Sequence, residues 1–260
     1  MDALGRALRF SRAGVDGLAD HVEPFDRGTV LRTPSLPQFW SLNGVRLEHP
    51  EPELDLAGAA ALAAEHVPEV AYRQIQVEDE ATADRLMPLA REAGWTVEEE
   101  LLMLLTEGPD RPADRTAIRE GTFEEVVALL DVWLHEEYAE EQGPETVRQL
   151  VEGCVRQYER QPWQRFVATH DGEAVAMCSL LVRDGVAQVE DVYALPRVRG
   201  LGLGRAVIAT VVEEARASGA DVVFILADAD GWPWKLYRKL GFTPLARRAE
   251  LHRPEPGTEA

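Results

Sequence analysis

Apolar residues recur with helical spacing in four segments of the second half of the chain. Residues 124–137 and 144–158 each carry an apolar stripe. A third helix follows a glycine-rich loop and ends at Ala217, and a fourth covers residues 234–240 and stops before Gly241, which can form a left-handed cap. The third helix has the best-defined apolar face, formed by Leu203, Val207, Ile208, Val211, Val212 and Ala215.

Apolar runs bounded by turn residues predict strands between these helices. Residues 165–169, 174–182 and 186–195 are typical of an antiparallel meander, because the Asp-Gly pairs that separate them tolerate the positive φ of tight hairpin turns. One further strand is predicted at 221–226, and a final strand ends at residue 251. The order β-α-α-β-β-β-α-β-α-β predicts a mixed α/β (α+β) fold.

A polar segment with two prolines and a glycine, residues 106–115, separates this region from an upstream one. A chain of 260 residues is long enough for two domains. We therefore predict a first domain over residues 1–110 and a second over residues 111–252. Residues 253–260 have little to bury and are predicted to be a disordered tail.

The formal net charge is -19, which opposes binding to a phosphate backbone, so nucleic acid is not expected as a partner. Acidity of this kind serves solubility, or it attracts a cationic, amine-bearing substrate. No segment has the roughly 18 apolar residues of a membrane span, and the first residues lack the apolar core of a secretory signal. We expect a cytoplasmic protein without a membrane partner.

Cysteine and histidine usage gives no sign of a metal or a disulfide framework. Cys154 and Cys178 are the two cysteines, and we expect both to be reduced. The histidines show no metal-binding spacing, so no metal ligand is predicted.

One glycine-rich loop between a strand and an amphipathic helix has the features of a phosphate site. Its glycines lack the β-carbons that would keep a pyrophosphate from the backbone, and the helix end supplies free N–H groups. Its two arginines add cationic reach. The predicted pyrophosphate loop consists of Arg199, Gly200, Leu201, Gly202, Leu203, Gly204 and Arg205.

Two well-known phosphate-binding loops differ from this one in spacing. A dinucleotide fingerprint requires G-x-G-x-x-G, whereas the spacing here is G-x-G-x-G. A Walker A loop requires Gly-Lys-Ser/Thr, whereas Gly204 is followed by Arg205. One alternative interpretation remains, in which the segment is a glycine-rich turn that only caps the helix.

Residues 199–204 resemble the cofactor loop of the GCN5-related N-acetyltransferase (GNAT) family, Gln/Arg-x-x-Gly-x-Gly/Ala. Residues 192–196 are similar to that family's splayed fourth strand. Residues 228–242 are similar to its closing motif, in which Gly-Phe follows a tyrosine after four residues. Together the similar segments cover residues 116–251, and the resemblance implies a mostly antiparallel GNAT-like sheet flanked by helices. It also implies an acyltransferase of the EC 2.3.1 type with acetyl-CoA as co-substrate.

The resemblance implies roles for particular residues. Backbone N–H groups of Val192, Tyr193 and Ala194 are expected to face the pantetheine arm and to stabilise the oxyanion. Tyr237 is expected to give a proton to the departing sulfur. Asp230 stands where many members have Asn, and as a cofactor contact it could only accept hydrogen bonds.

Glu190 is our candidate for the base that deprotonates the attacking amine, because some members of the family carry an acid there. Gln188 is expected on the same side of the strand as Glu190. Asp191 is expected on the other side unless the strand bulges.

The upstream region resembles a degenerate copy of the same domain. Residues 91–96 align with 238–243, the strand at 70–77 corresponds to 221–226, and the helix at 56–66 corresponds to the one after the glycine loop. Ala90 stands where Tyr237 would be, and only Gly58 remains near the loop. We therefore expect a structural or substrate-shaping role for residues 1–110.

The function expected from these observations is transfer of an acetyl group to a primary amine of a small molecule. Two alternatives remain: a non-catalytic acyl-CoA sensor, and an N-acetyltransferase acting on proteins. The sequence leaves the acceptor open, and it leaves a homodimer possible.

Overall fold

The computed structural model describes residues 2–254, apart from the side chain of Glu141. Arg253 closes the last strand instead of opening a disordered tail, and residues 255–260 of the predicted tail lie outside the described residues. The first half consists of α1 (Ala3–Asp16), β1 (His21–Phe25), β2 (Gly28–Arg32), β3 (Gly44–Leu47), α2 (Leu56–His66), β4 (Arg73–Val77), α3 (Glu80–Glu92) and β5 (Thr96–Leu105).

The second half follows the predicted order of strands and helices. It consists of β6 (Ile118–Glu120), α4 (Phe123–Arg160), β7 (Gln164–His170), β8 (Glu173–Arg183), β9 (Val186–Ala194), α5 (Leu203–Ala217), β10 (Val222–Asp228), α6 (Pro233–Lys239) and β11 (Phe242–Arg253). Helix α4 is interrupted at Gly143, whose φ of 78° is left-handed, so its two arms match the two predicted helices. Within residues 2–254, none of the helices is long and apolar enough to cross a membrane.

The meander of β7, β8 and β9 is confirmed, together with the turns that close it. Asp171 and Gly172 have φ angles of 52° and 82°, and Asp184 and Gly185 have 51° and 74°. Two successive positive φ angles match the twist of the flanking strands, as in tight hairpins. The Asp-Gly pairs therefore set the register of this half of the sheet.

The eleven strands within residues 2–254 form a single sheet in the order β1-β2-β3-β4-β11-β5-β10-β9-β8-β7-β6. The last strand of each half lies in the other half's place: β5 pairs with β10, and β11 pairs with β4. The two exchanged strands also pair with each other, antiparallel, from Phe242↔Leu105 to His252↔Thr96. The division expected near residue 110 falls in the loop after β5 and stays a prediction.

The two halves repeat one topology. In each, two parallel strands are joined by a helix: β3 and β4 by α2, and β9 and β10 by α5. A second helix and a strand then follow, α3 and β5 in the first half and α6 and β11 in the second. Gly94 and Gly241 end the two helices with φ angles of 76° and 98°. The tandem arrangement inferred from the sequence is present in the fold.

Side-chain alternation along β5 separates the two faces of the sheet. Leu101 and Met103 pack with residues of α5 and α6, whereas Leu102 and Leu104 pack with residues of α1 and α4. Val97, on the same face as Leu101, packs with α2 and α3. Helices α2, α3, α5 and α6 therefore cover one face, and α1 and α4 cover the other. Where the two halves meet, this second face carries polar residues.

Candidate active site

Strands β9 and β10 pair over only part of their length. Their parallel register runs from Val186↔Val222 to Val189↔Ile225. Beyond this point β9 continues to Ala194 paired with β8, and β10 continues to Asp228 paired with β5. The backbone of residues 192–194 therefore has an open edge facing β10. An extended chain can pair with such an edge as an added strand would.

A bulge in β9 turns Asp191 toward the same cavity as Glu190. Asp191 has a φ of 54°, and the register with β8 shifts at this point. Tyr158 donates a hydrogen bond of 2.6 Å to Asp191 Oδ2, and the same tyrosine oxygen is hydrogen bonded to Ser179 Oγ. The strand therefore bulges where regular alternation would have turned Asp191 away, and Gln188 lines the cavity as expected.

The start of helix α5 presents free backbone N–H groups. The first helical hydrogen bond runs from the N–H of Ala206 to the carbonyl of Gly202, so the N–H groups of residues 203–205 precede it. Gly202 has a left-handed φ of 83°, and no side chain caps the helix. Apart from its chain neighbours and its own helix backbone, a β-carbon added at Gly200, Gly202 or Gly204 would meet no atom of the described residues within 4 Å. The loop is therefore open to a ligand that approaches the backbone closely.

Both arginines of the loop are held by carboxylates. Arg199 donates to the carbonyl of Ala194 at 3.0 Å and to Glu136 at 2.9 Å. Arg205 is buried and donates to Asp110 at 2.7 Å. As the structure stands, these side chains brace the loop, and either one would have to exchange its carboxylate for a phosphate to contact it directly.

The exposure of the remaining predicted cofactor residues differs widely. Leu201 is exposed at the loop tip, whereas Tyr193 is buried and donates to Glu136 at 2.7 Å. Asp230 lies at an exposed turn, where its side chain is 3.9 Å from Arg91 of α3. The structure thus brings the loop and the opened strand together, and it leaves Asp230 at the surface.

Tyr237 lies in the core between α6 and the sheet. It is buried, and its ring packs edge-on against Phe242 at 6.4 Å. Burial is the main cause that raises the pKa of its phenol, followed by the nearby Cys178 and Glu190. The phenol therefore keeps its proton at neutral pH. Tyr237 packs on the face of the sheet covered by α5 and α6, whereas Glu190 lines a cavity under α1 on the other face.

Glu190 lines a cavity of about 230 Å³ between helix α1 and the centre of the sheet. Burial and then the neighbouring charge of Asp191 raise the pKa of Glu190 to about 8. Gln188 donates a hydrogen bond of 2.5 Å to Glu190 Oε1, which opposes the shift. Two neighbouring carboxylates do not readily ionise together. Because Asp191 has donors from Tyr158 and Ser179, Glu190 is the one that carries the proton near neutral pH.

The family model of the acetyltransferase (GNAT) family matches residues 118–242, the part of the chain that contains the opened strand, the glycine loop and Tyr237. Residues 118–242 form a GNAT-family acetyltransferase domain.

Solved structures resemble the chain as a whole. A conserved protein of unknown function from Staphylococcus epidermidis is similar with a TM-score of 0.67 and 13% identity, over 92% of this chain and 95% of that one. A GCN5-related N-acetyltransferase from Kribbella flavida is similar with a TM-score of 0.60 and 19% identity, over 96% of both chains. At these identities the likeness establishes the fold alone. No curated protein sequence matches the chain.

The loop that corresponds to the glycine loop in the first half differs from that of the acetyltransferase domain. Helix α2 is capped by Asp55, whose carboxylate accepts a hydrogen bond from the N–H of Gly58 at 2.7 Å. A carboxylate therefore stands where α5 offers bare N–H groups. Ala90 is fully buried among apolar residues and offers no hydroxyl in place of Tyr237. These features are those of a degenerate copy.

Sequence reasoning missed the residues that fix the bulge in the acetyltransferase domain. Tyr158 and Ser179 lie 33 and 12 positions from Asp191, and no short motif connects them. It also missed Glu136, which holds both Tyr193 and Arg199. Glu136 lies in a run of acidic residues at 135–142, which can be recognised in the sequence. The sequence does not show that Glu136 contacts Tyr193 and Arg199.

Proposed function

We propose that this protein is an acetyl-CoA-dependent N-acetyltransferase that acetylates a primary amine of a small molecule by direct attack on the thioester. The bare N-terminus of α5, next to the open edge of β9, is the observation that carries the proposal. Those N–H groups suit a pyrophosphate, and the strand edge suits the amide-containing pantetheine arm.

The residues at the opened strand supply the groups that the chemistry needs. Glu190 would take a proton from the attacking amine in its deprotonated form, whose fraction increases as the pH approaches its pKa of about 8. A backbone N–H near Val192 would donate to the oxyanion. As the carbon–sulfur bond breaks, Tyr237 would give its proton to the sulfur, and the products are an amide and free CoA.

The enclosed shape of the acceptor side favours a small molecule over a protein. The cavity next to Glu190 lies under helix α1, is lined by both halves of the chain and has a volume of about 230 Å³, which suits a small molecule. Within the described part of the chain, five carboxylates and three arginines line this cavity, and the excess of carboxylates favours a cationic amine. A cytoplasmic location belongs to the same proposal, and a homodimer stays a prediction that light scattering can check.

The test is CoA release from acetyl-CoA with a panel of small amines, together with calorimetry of CoA binding. We expect CoA to bind and thiol to appear only with an amine present. Tyr237→Phe should lower kcat by about 10²-fold or more, and a melting curve of this variant checks that the loss does not come from unfolding. Binding of CoA without amine-dependent thiol would instead support an acyl-CoA sensor. Acetylated proteins found by mass spectrometry after co-expression would support a protein substrate.

A further inference from the structure

A second cavity, of about 190 Å³, lies beside the one that contains Glu190, and the two share Ser41 and Glu250 as lining residues. Its walls come from both halves of the chain. Phe39 and Trp40 belong to the loop before β3, Tyr138 belongs to α4, and His252 belongs to the exchanged strand β11. The degenerate first half therefore supplies part of this wall.

Aromatic rings line this second cavity in a continuous row. The ring centres of Trp40 and Tyr138 are 6.1 Å apart, and those of Trp40 and His252 are 5.1 Å apart. Aromatic faces attract ammonium groups, most strongly where water is excluded. Burial lowers the pKa of His252 to about 4, so its ring is neutral at physiological pH and does not repel a cation.

A carboxylate stands at the junction of the two cavities. The side-chain amide nitrogen of Gln74 donates a hydrogen bond to Glu250 Oε2 at 2.8 Å. The side-chain oxygen of Gln74 is 3.1 Å from Nδ1 of His252. Burial and then the charge of Glu100 raise the pKa of Glu250 to about 8, although Arg248 opposes the shift. Glu98 lines the second cavity, and its pKa is raised by burial and by three further carboxylates. An ammonium group at this junction would relieve the repulsion among these acids.

An orphaned acceptor in the first cavity points to the same kind of ligand. Glu78 is almost fully buried and lines that cavity, and its Oε1 has no hydrogen-bond donor within the described residues. The other oxygen of this carboxylate, Oε2, accepts a hydrogen bond from Arg12 Nε at 2.8 Å, whereas Arg46 Nε lies 3.9 Å from Oε1, which is an ion pair without a hydrogen bond. A buried carboxylate oxygen without a donor is unfavourable, so a ligand with N–H groups would satisfy it.

From these contacts we propose that the acceptor is a linear di- or polyamine. One amine reacts beside Glu190, while a second ammonium group binds between Trp40, Tyr138 and His252 with Glu250 as its counter-ion. This inference rests on the proposed function for the reacting amine, and it adds the site of the second cation.

The experiment compares a series of linear diamines with monoamines of the same chain length, by CoA release and by calorimetry in the presence of CoA. We expect the best diamine to have a kcat/KM at least about tenfold above its monoamine, consistent with a desolvated cation–π site. Trp40→Leu and Glu250→Gln should abolish that preference by lowering the diamine value toward that of the monoamine. Glu65→Gln, on the exposed face of α2, is the matched charge control.

The outcomes separate the two proposals. Equal kcat/KM values for diamines and monoamines would overturn the second-cation site and leave the acetyltransferase proposal in place. Thiol release from no amine, with diamines still binding in a Trp40-dependent way, would overturn the acetyltransferase proposal and support the site. Trp40→Leu is accompanied by a melting curve, and Tyr138→Leu provides a second test if that variant does not fold.

Discussion

Tyr158 donates a hydrogen bond to Asp191 across 33 positions of sequence, and this contact holds a left-handed residue in the middle of a strand. A non-glycine residue with positive φ is strained and persists only where its surroundings fix it. Here the fixing group comes from the second arm of α4. The geometry of β9, which carries Glu190 and Asp191, therefore depends on a helix residue that precedes Asp191 by 33 positions in the sequence.

Replacing Tyr158 with Phe removes this hydrogen bond and leaves the ring in place. We expect a loss of stability of about 1–3 kcal/mol, because the buried carboxylate loses a donor. We also expect kcat to fall more than KM for acetyl-CoA changes, since the bulge positions Glu190. Denaturant unfolding and steady-state kinetics measure the two effects. An unchanged kcat in a folded variant would show that the bulge does not need Tyr158.

The rate should rise with pH through about 8, the pKa of Glu190, because the base acts in its deprotonated form. Asp191→Asn should move this midpoint to lower pH, since the charge of Asp191 is one cause of the raised value. Glu190→Gln should remove the ionisation and most of the activity. A profile of kcat/KM against pH for the three proteins tests this, and a midpoint that is unmoved in Asp191→Asn contradicts it.

The same ionisation affects folding. A carboxyl whose folded pKa is raised to about 8 from its ordinary value of 4.5 makes the folded state lose stability as pH rises through that interval. Glu190→Gln should therefore melt at a higher temperature than the unsubstituted protein at pH 9, while the two should be similar near pH 4.

Gly204→Ala separates stability from cofactor binding. The residue lies in the first turn of α5, and outside that helix an added β-carbon would meet no atom of the residues that the structure describes within 4 Å. Alanine should therefore stabilise the helix by up to about 1 kcal/mol. It should weaken CoA binding at least tenfold, or ~1.4 kcal/mol, because the methyl group occupies the approach of the pyrophosphate. Gly108→Ala, in an open loop, is the control. Equal CoA affinity in the two variants would show that Gly204 does not contact the pyrophosphate.

Gly153→Ala tests how tightly the loop before β3 is seated. A β-carbon there would lie 2.0 Å from Cε2 of Phe39, so the ring must move. We expect a loss of about 1–3 kcal/mol from overpacking, which outweighs the better helix propensity. Gly14→Ala in α1, where the nearest atom is 3.9 Å away, should instead be neutral or stabilising in the same melt.

A chain of residues 111–260 alone lacks β5, the strand between β10 and β11. We expect this fragment to aggregate, because two strand edges lose their partner, and to recover CoA binding when co-expressed with residues 1–110. A soluble, CoA-binding fragment on its own would mean that the second half does not need the exchanged strand.

Local periodicity was sufficient for much of the fold. The helix at 56–66 has the predicted bounds. The three-strand meander could be predicted from the sequence because each turn contains an Asp-Gly pair. The exchange of β5 and β11 could not be predicted from the sequence, since the apolar patterns of both strands are compatible with a place in either half of the sheet. The choice between them depends on pairing over more than 130 positions.

The glycine loop was found from sequence because its chemistry lies in consecutive residues. The side-chain partners of Arg199 and Arg205 were not found, because Glu136 and Asp110 reach them from distant elements. The aromatic row of Trp40, Tyr138 and His252 was missed for the same reason: each residue is ordinary in its own segment, and only the fold brings the three rings together.

The position of β11 also constrains the order of events during synthesis. Strand β4 in the first half takes its neighbour on the side of the sheet centre from residues 242–253, so that half remains without a strand until residue 253 has left the ribosome. Folding of the first half while the second is still being made is therefore incomplete by construction. The nascent chain must keep an unpaired edge of β4 protected for that time, and we expect chaperone dependence during translation to exceed that seen on refolding of the finished protein.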